Sequence, residues 1–139
     1  MRKSFCAGIF LITLCYPVSA SITVDLVCDG FTVIVLNNEK GAKEPWSKTY
    51  SIKNGVSRGG STVWEVSDTH LRYSRAPVKP QDPDYAILYE SIELKVEINR
   101  LSGAIKQLWT FKNKALKNIV GDYRYQIDEG KCSPAKRAF

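Results

Sequence analysis

Residues 88–98 read Leu-Tyr-Glu-Ser-Ile-Glu-Leu-Lys-Val-Glu-Ile, the most regular alternation in the chain. Even positions from 92 to 98 are apolar, whereas the odd positions between them are polar. Because successive side chains of a strand point to opposite faces, this period of two predicts a β-strand with one buried and one solvated face. We therefore expect Leu94 and Val96 in the core and Lys95 on the outer surface.

The N-terminal segments show the same period of two. Apolar residues occupy even positions from 22 to 28 and odd positions from 31 to 35, and Asp29-Gly30 separates the two runs. Asp-Gly is a strong hairpin signal because a type I′ turn needs positive φ at both central residues. The sequence therefore predicts two strands joined by a turn at Asp29-Gly30.

Polar and proline-rich stretches divide the middle of the chain. The segment Asn37–Glu44 is expected to precede a strand on which Trp46, Tyr50 and Ile52 share one face. The segment Ala76–Ala86 contains three prolines, which cannot donate to a sheet, so we expect an exposed loop there. Further turns are expected at Asn54-Gly55, Ser57–Gly60 and Ser67-Asp68, with short strands around Trp64 and around Leu71 and Tyr73.

The C-terminal third predicts a hairpin and a last strand. The turn lies at Ile98–Gly103, where Gly103 can adopt a left-handed conformation. Ile105, Trp109 and Phe111 then share a face that we expect to be buried. A single helical turn is possible within 112–119, and the last strand is marked by Tyr123, Tyr125 and Ile127.

These elements predict an all-β fold of about seven to eight antiparallel strands. We expect one up-and-down sheet, over residues 21–139, curled into a small barrel or flattened into a sandwich, since closure removes exposed sheet edges.

The first 20 residues have the pattern of a cleaved secretory signal. Arg2 and Lys3 precede an apolar run from Phe5 to Tyr16, and Val18-Ser19-Ala20 has small residues at the cleavage positions. This pattern predicts a periplasmic or secreted protein without a transmembrane segment in the mature chain.

Cysteine usage supports the same compartment. Cys6 and Cys15 lie in the signal, so the mature chain keeps Cys28 and Cys132, an even pair typical of a disulfide in an exported protein. The bond would close a loop of about 100 residues, for which chain entropy predicts about 4–5 kcal/mol of stabilisation. A redox or nucleophilic cysteine would need a nearby cysteine or histidine, and neither residue has one in sequence.

Basic residues are unevenly distributed. The chain carries a formal net charge of +6, and its segment from 98 to 121 contains basic and aromatic residues without an acidic one. Such a segment can bind polyanions by charge and stacking, although lysines on an outer face also discourage aggregation. The candidate anion-binding residues are Arg100, Lys106, Lys112, Lys114 and Lys117.

Catalytic chemistry has little support in the residue types present. His70 is the one histidine, which excludes a multi-histidine metal cluster, and no Gly-x-Ser-x-Gly motif occurs. Asp82 and Asp84 lack the spacing of a calcium loop, and the glutamates of the 88–98 strand belong to its solvated face. We therefore assign no catalytic residue, no metal site and no cofactor.

Short motifs carry two family resemblances. The hairpin Ile98-Asn99-Arg100-Leu101-Ser102-Gly103 and the tail Gly130-Lys131-Cys132 resemble small exported proteins of Gram-negative bacteria that have no assigned function. This resemblance implies a compartment and a fold. Cys28-Asp29-Gly30 together with the late Cys132 is also similar to periplasmic inhibitors of C-type lysozyme, although their Ser-x-Gly-x-[RK]-Tyr segment is not found.

The sequence thus favours a non-catalytic exported domain that binds a ligand or another envelope component, with an anionic envelope polymer or a protein as the partner. The alternative is an inhibitor of a lysozyme-type enzyme. A deep cavity would favour small-ligand binding, whereas a filled interior with a protruding loop would favour the inhibitor.

Overall fold

One antiparallel sheet dominates the computed structural model, which describes residues 23–58 and 62–135. The expected signal at 1–20, Gly59-Gly60 and the last four residues lie outside the described residues. The elements are β1 (Thr23–Leu36), β2 (Glu39–Lys53), β3 (Val56–Ser57), β4 (Glu65–Val66), β5 (His70–Val78), α1 (Pro83–Leu88), β6 (Tyr89–Asn99), β7 (Ala104–Asn113), α2 (Lys117–Val120) and β8 (Tyr123–Pro134).

The sheet is curled into a half-barrel, which confirms the expected all-β fold. Its strand order is β3-β2-β1-β8-β7-β6-β5-β4. The two edge strands are consecutive in the chain, and they lie near one another because Val56 forms an isolated bridge with Val63 and the Trp64 amide donates to the Gly55 carbonyl at 2.7 Å. At this end, Trp64, Tyr50 and Tyr73 fill the concave side of the half-barrel, and we call it the closed end.

The first hairpin turns at Asn37-Asn38, not at Asp29-Gly30 as the sequence predicts. Leu36 pairs with Glu39, and both asparagines have positive φ, 49° and 64°. This is the two-residue geometry that suits the twist of flanking strands. The polar stretch after Asn38 is consequently part of β2 and does not separate two hairpins.

Asp29-Gly30 lies inside β1 because the glycine serves a close approach of two strands. Gly30 is directly opposite Gly130 of β8, and a Cβ on Gly30 would lie 2.0 Å from the Glu129 carbonyl oxygen. Only a residue without a side chain fits there. The same dipeptide that favours a turn is therefore required here by the strand pairing.

The predicted disulfide is confirmed, and it crosses this strand pair. Cys28 is directly opposite Cys132, with the two Cα atoms 3.9 Å apart. Cys28 is fully buried in the core. The bond thus joins the first and last strands at the centre of the sheet.

The β6–β7 hairpin agrees with the sequence expectation. Leu94, Val96 and Ile98 are buried, while Lys95 is exposed and pairs with Glu93 at 3.1 Å. Gly103 has the expected positive φ, 73°, and its carbonyl accepts from the Cys132 amide at 2.7 Å. The hairpin turn is therefore tied to the disulfide strand.

Trp64 fills the closed end of the half-barrel from the connection between β3 and β4, not from within a strand as predicted. Its indole Nε1 donates to Ser57 Oγ at 2.8 Å. The ring contacts Tyr50 edge-on at 5.6 Å and Tyr73 at 5.7 Å between centroids. The core at this end is consequently aromatic and closely filled.

The proline-rich segment is only partly the loop that we expect. β5 extends to Val78 through Pro77, which lies where the pairing with β6 is shifted and its missing donor is tolerated. Pro83 begins α1, in the first turn, where the helix does not use an N–H. Asp82 caps this helix by accepting from the Asp84 amide at 2.9 Å.

Replacing Leu94 by alanine should destabilise the fold by about 2–5 kcal/mol, because it removes buried apolar surface and leaves a cavity. Lys95→Ala, on the opposite face of the same strand, should cost less than about 0.5 kcal/mol. Urea unfolding of both variants measures the difference. Equal stabilities would contradict the register of β6.

Gly30→Ala should destabilise the oxidised protein by more than about 2 kcal/mol, since the new Cβ overlaps the backbone of β8. The matched control is Gly41→Ala, also in the β1–β2 hairpin, where the nearest atom to a new Cβ is the Ile34 oxygen at 3.3 Å. Thermal unfolding followed by circular dichroism compares the two. A tolerated Gly30→Ala would be inconsistent with this close strand approach.

Candidate functional site

The open end of the concave face forms a cleft of about 380 Å³. Alternate residues of β2, β7 and β8 point into it because side chains of a strand alternate between faces. We use "the cleft" for this space, whose lining residues are Trp46, Lys48, Tyr85, Ile92, Gln107, Trp109, Phe111, Gln126 and Asp128.

A hydrogen-bonded carboxylate forms the floor of the cleft. Asp128 is fully buried, and it accepts from Thr32 Oγ1 at 2.5 Å, Gln107 Nε2 at 2.6 Å and Gln126 Nε2 at 3.2 Å. A buried carboxylate is tolerated only when donors replace its lost water. Both oxygens are therefore engaged, and the carboxylate in turn holds the two amide side chains in place.

The same network continues to β2. Tyr50 donates its hydroxyl to Gln107 Oε1 at 2.7 Å, so the amide group of Gln107 is bonded at both ends. Burial, followed by the nearby charge of Asp128, raises the pKa of Tyr50 well above its ordinary value. The hydroxyl therefore remains a donor across the physiological pH range, and it locks the floor of the cleft to β2.

Lys48 is the basic group beside this floor. Burial lowers its pKa, and the opposite charge of Asp128 partly offsets this effect. Its Nζ lies 5.1 Å from the ring centre of Tyr50. The lysine thus lies on the concave face beside the floor, where its side chain remains exposed to solvent and can meet an acidic ligand.

Aromatic rings form one wall of the cleft. Trp109 and Phe111 stack with centroids 6.3 Å apart and an interplanar angle of 19°. Tyr89 lies 4.9 Å from Phe111 and 5.8 Å from Tyr85 of α1, again between centroids. Trp46 of β2 completes the lining, so the cleft offers flat apolar surfaces above a polar floor.

A second cavity, here the side pocket, adjoins the cleft and shares Tyr85 and Ile92 with it. It measures about 450 Å³, and its other lining residues are Arg75, Val78, Lys79, Pro80, Gln81 and Asp82. The guanidinium of Arg75 lies 5.6 Å from the ring centre of Trp109. The two cavities are therefore adjacent, and the side pocket adds Arg75 and Lys79 next to the cleft.

The five basic residues singled out from the sequence do not converge in the structure. Arg100 lies in the β6–β7 turn and donates to the Ser67 carbonyl, whereas Lys112 lies near the other end of β7. Lys114 is exposed beyond β7. Three of the five residues form ion pairs: Lys106–Glu129 at 3.5 Å, Lys112–Glu90 at 2.9 Å and Lys117–Asp122 at 3.3 Å. Anion binding by this set stays a prediction.

A larger depression of about 610 Å³ lies over the convex side of the sheet, but most of its charged groups already have partners. Arg72 donates to Glu97 at 2.8 Å, and this hydrogen bond lowers the pKa of the glutamate. Lys95 and Lys106 pair with other glutamates. This surface therefore presents little unsatisfied charge compared with the concave side.

The residues of the cleft floor are not among those that the sequence pattern predicts to be functional. Gln107 lies between Ile105 and Trp109 on the inward face of β7, and Asp128 takes an inward position on β8. A polar residue on an otherwise apolar face is the one sequence signal that could have found Gln107. Asp128 had no such signal, because the neighbouring even positions of β8 are also polar or glycine.

Two features are absent from the part of the chain that the structure describes. Within 23–58 and 62–135, no three histidine, cysteine or acidic side chains are grouped as metal ligands. Neither described helix is long and apolar enough to cross a membrane. His70 lies at the start of β5, where its ring contacts Thr69 Oγ1 at 2.8 Å, and it does not line the cleft.

Comparison of the chain with family models, curated proteins and solved structures finds no match. The resemblances to exported proteins and to lysozyme inhibitors therefore stay predictions. Cys28-Asp29-Gly30, which carries the second resemblance, lies within β1 and does not form a turn.

Asp128→Asn should lower the pKa of Lys48 further, because it removes the one nearby charge that raises it. NMR titration of the Lys48 side chain, with Glu93→Gln as the control at a distant carboxylate, measures the change. An unchanged or raised pKa in Asp128→Asn would show that the two groups do not interact through the cleft.

Proposed function

We propose that this protein is an exported, non-catalytic binding domain that holds a small ligand in the cleft. One observation carries the proposal: a cavity of about 380 Å³ with aromatic walls and a satisfied polar floor. Small-molecule sites in proteins are typically concave and mostly apolar, with a few oriented polar groups. Gln126 and Lys48 are the polar groups that a ligand would meet here.

The contrast between the two ends of the half-barrel supports this choice. At the closed end, Trp64 is only 5% exposed and packs between two tyrosines. At the open end, Trp46 and Trp109 are only partly buried although they face inward. Partly exposed inward tryptophans sacrifice hydrophobic stabilisation, which a ligand seated between them would restore.

Export is supported by two independent features. The Cys28–Cys132 disulfide is characteristic of oxidising compartments such as the periplasm or the cell exterior. The first 20 residues have the charge and hydropathy pattern of a secretory signal. Both features favour a periplasmic or secreted protein that meets its ligand outside the cytoplasm.

A binding role agrees with the chemistry of the cleft. Asp128 is its one acidic lining residue, and both carboxylate oxygens already accept hydrogen bonds from the protein. A general base needs a free oxygen within reach of a substrate proton. The open cleft also favours small-ligand binding over a lysozyme-type inhibitor, which would act through a protruding segment.

The neutral fluorescent probe N-phenyl-1-naphthylamine tests the site, because its emission rises in an apolar cavity. We expect saturable binding by the oxidised wild-type protein. Trp109→Ala should weaken binding about tenfold, since it removes an aromatic contact of roughly 1–2 kcal/mol. Trp46→Ala, on the opposite wall, provides a second variant with the same expected direction.

Phe31→Ser is the matched control, because Phe31 is an aromatic residue on the convex face whose side chain is 54% exposed. It should leave the affinity for the probe unchanged. The proposal fails if wild type does not bind, or if the convex-face substitution weakens binding as much as the cleft substitutions do.

A further inference from the structure

A buried donor without an acceptor lies beside the cleft. Within the described residues, the Nε atom of Arg75 is the one buried side-chain nitrogen or oxygen that makes no hydrogen bond. Leaving such a group unpaired costs more than a typical hydrogen bond contributes, so its persistence calls for a functional reason. Nε itself is covered by the protein, so a bound acidic group would contact the terminal Nη groups of the same guanidinium.

The orientation of Arg75 is set by an aromatic neighbour. Its guanidinium stacks near Trp109 at 5.6 Å and lines the side pocket, next to Lys79. Stacking restricts the plane of a guanidinium while leaving its N–H edge available. Such an edge can bind a carboxylate, phosphate or sulfonate through two parallel hydrogen bonds.

The acidic residues near these cavities are already engaged, whereas the basic ones are not. Asp128 accepts three side-chain hydrogen bonds, and Asp82 accepts backbone amides at the start of α1. Among the described contacts, Arg75, Lys79 and Lys48 have no ion pair closer than 4.0 Å. An anion entering from solvent would therefore meet three basic groups without an ion pair, set against the hydrogen-bonded carboxyl groups of Asp82 and Asp128.

We propose that the ligand is a small amphipathic anion, whose acidic oxygens bind Arg75 in the side pocket while its apolar body lies in the cleft. Tyr85 and Ile92 line both cavities, so one molecule can occupy them together. This inference rests on the proposed function, since it assigns the ligand class of the same cleft. Lys79 and Lys48 add attraction at the two ends of the site.

Two probes with the same ring skeleton separate this inference from the proposed function. N-phenyl-1-naphthylamine is neutral, and 1-anilinonaphthalene-8-sulfonate carries an added sulfonate. Wild type should bind the sulfonate about tenfold more tightly, because hydrogen bonds to charged groups are the stronger ones. Arg75→Gln should remove most of this preference, because it removes the hydrogen-bonding group and leaves only the attraction of Lys79 and Lys48, while the neutral probe binds as before.

Arg72→Gln is the matched control, because Arg72 lies on the same strand but on the convex face, where it pairs with Glu97. It should keep the preference for the sulfonate. Raising the salt concentration should reduce that preference in wild type and in Arg72→Gln, and should have a smaller effect in Arg75→Gln. Binding of the neutral probe reports that each variant retains its cleft.

Each other outcome has a definite meaning. Equal affinities for the two probes in wild type, or an unchanged preference in Arg75→Gln, would overturn the anionic ligand and leave the proposed function standing. Binding of neither probe would overturn both. If Arg75→Gln also loses the neutral probe, the Arg75→Lys variant tests the inference instead. A reduced preference for the sulfonate, with binding of the neutral probe retained, supports the inference. Any other result for Arg75→Lys overturns it.

Discussion

The pairing of β1 with β8 is the contact on which the rest of the structure depends. It joins the N-terminal hairpin to the β5–β8 meander, and without it the chain would form two separate sheets. Two features specify its register: the Cys28–Cys132 bond, and the glycine pair Gly30–Gly130 two residues along, where the backbones approach too closely for side chains. The covalent bond also reduces the entropy of the unfolded chain, which matters for contacts so distant in sequence.

This strand pair also creates the cleft. It places β2 on one side of the half-barrel, so that Tyr50 and Lys48 meet the inward residues of β7 and β8. The donors and acceptors of the floor then come from four strands, β1, β2, β7 and β8. A carboxylate can be buried at Asp128 only because Thr32, Gln107 and the other donors are brought to it by this pairing.

The open end retains features that reduce stability. Its inward tryptophans are partly exposed, and Arg75 keeps a buried nitrogen without an acceptor. Natural proteins commonly tolerate such costs where they bind ligands, because groups optimised for a ligand are not optimised for the fold alone. The closed end shows the opposite choice, with Trp64 packed and hydrogen-bonded through its indole nitrogen.

Three features could be read from the sequence alone: the alternation of residues 88–98, the positive φ at Gly103 and the pairing of Cys28 with Cys132. Each depends on local periodicity, on the backbone freedom of a glycine, or on counting. The role of Asp29-Gly30 and the partners of Asp128 could not be predicted from the sequence, because these residue types also suit a turn or a loop. Only the tertiary structure decides these two features. Asp128 is buried, and Gly30 makes its close backbone contact, only when strands about 100 residues apart in sequence are brought together.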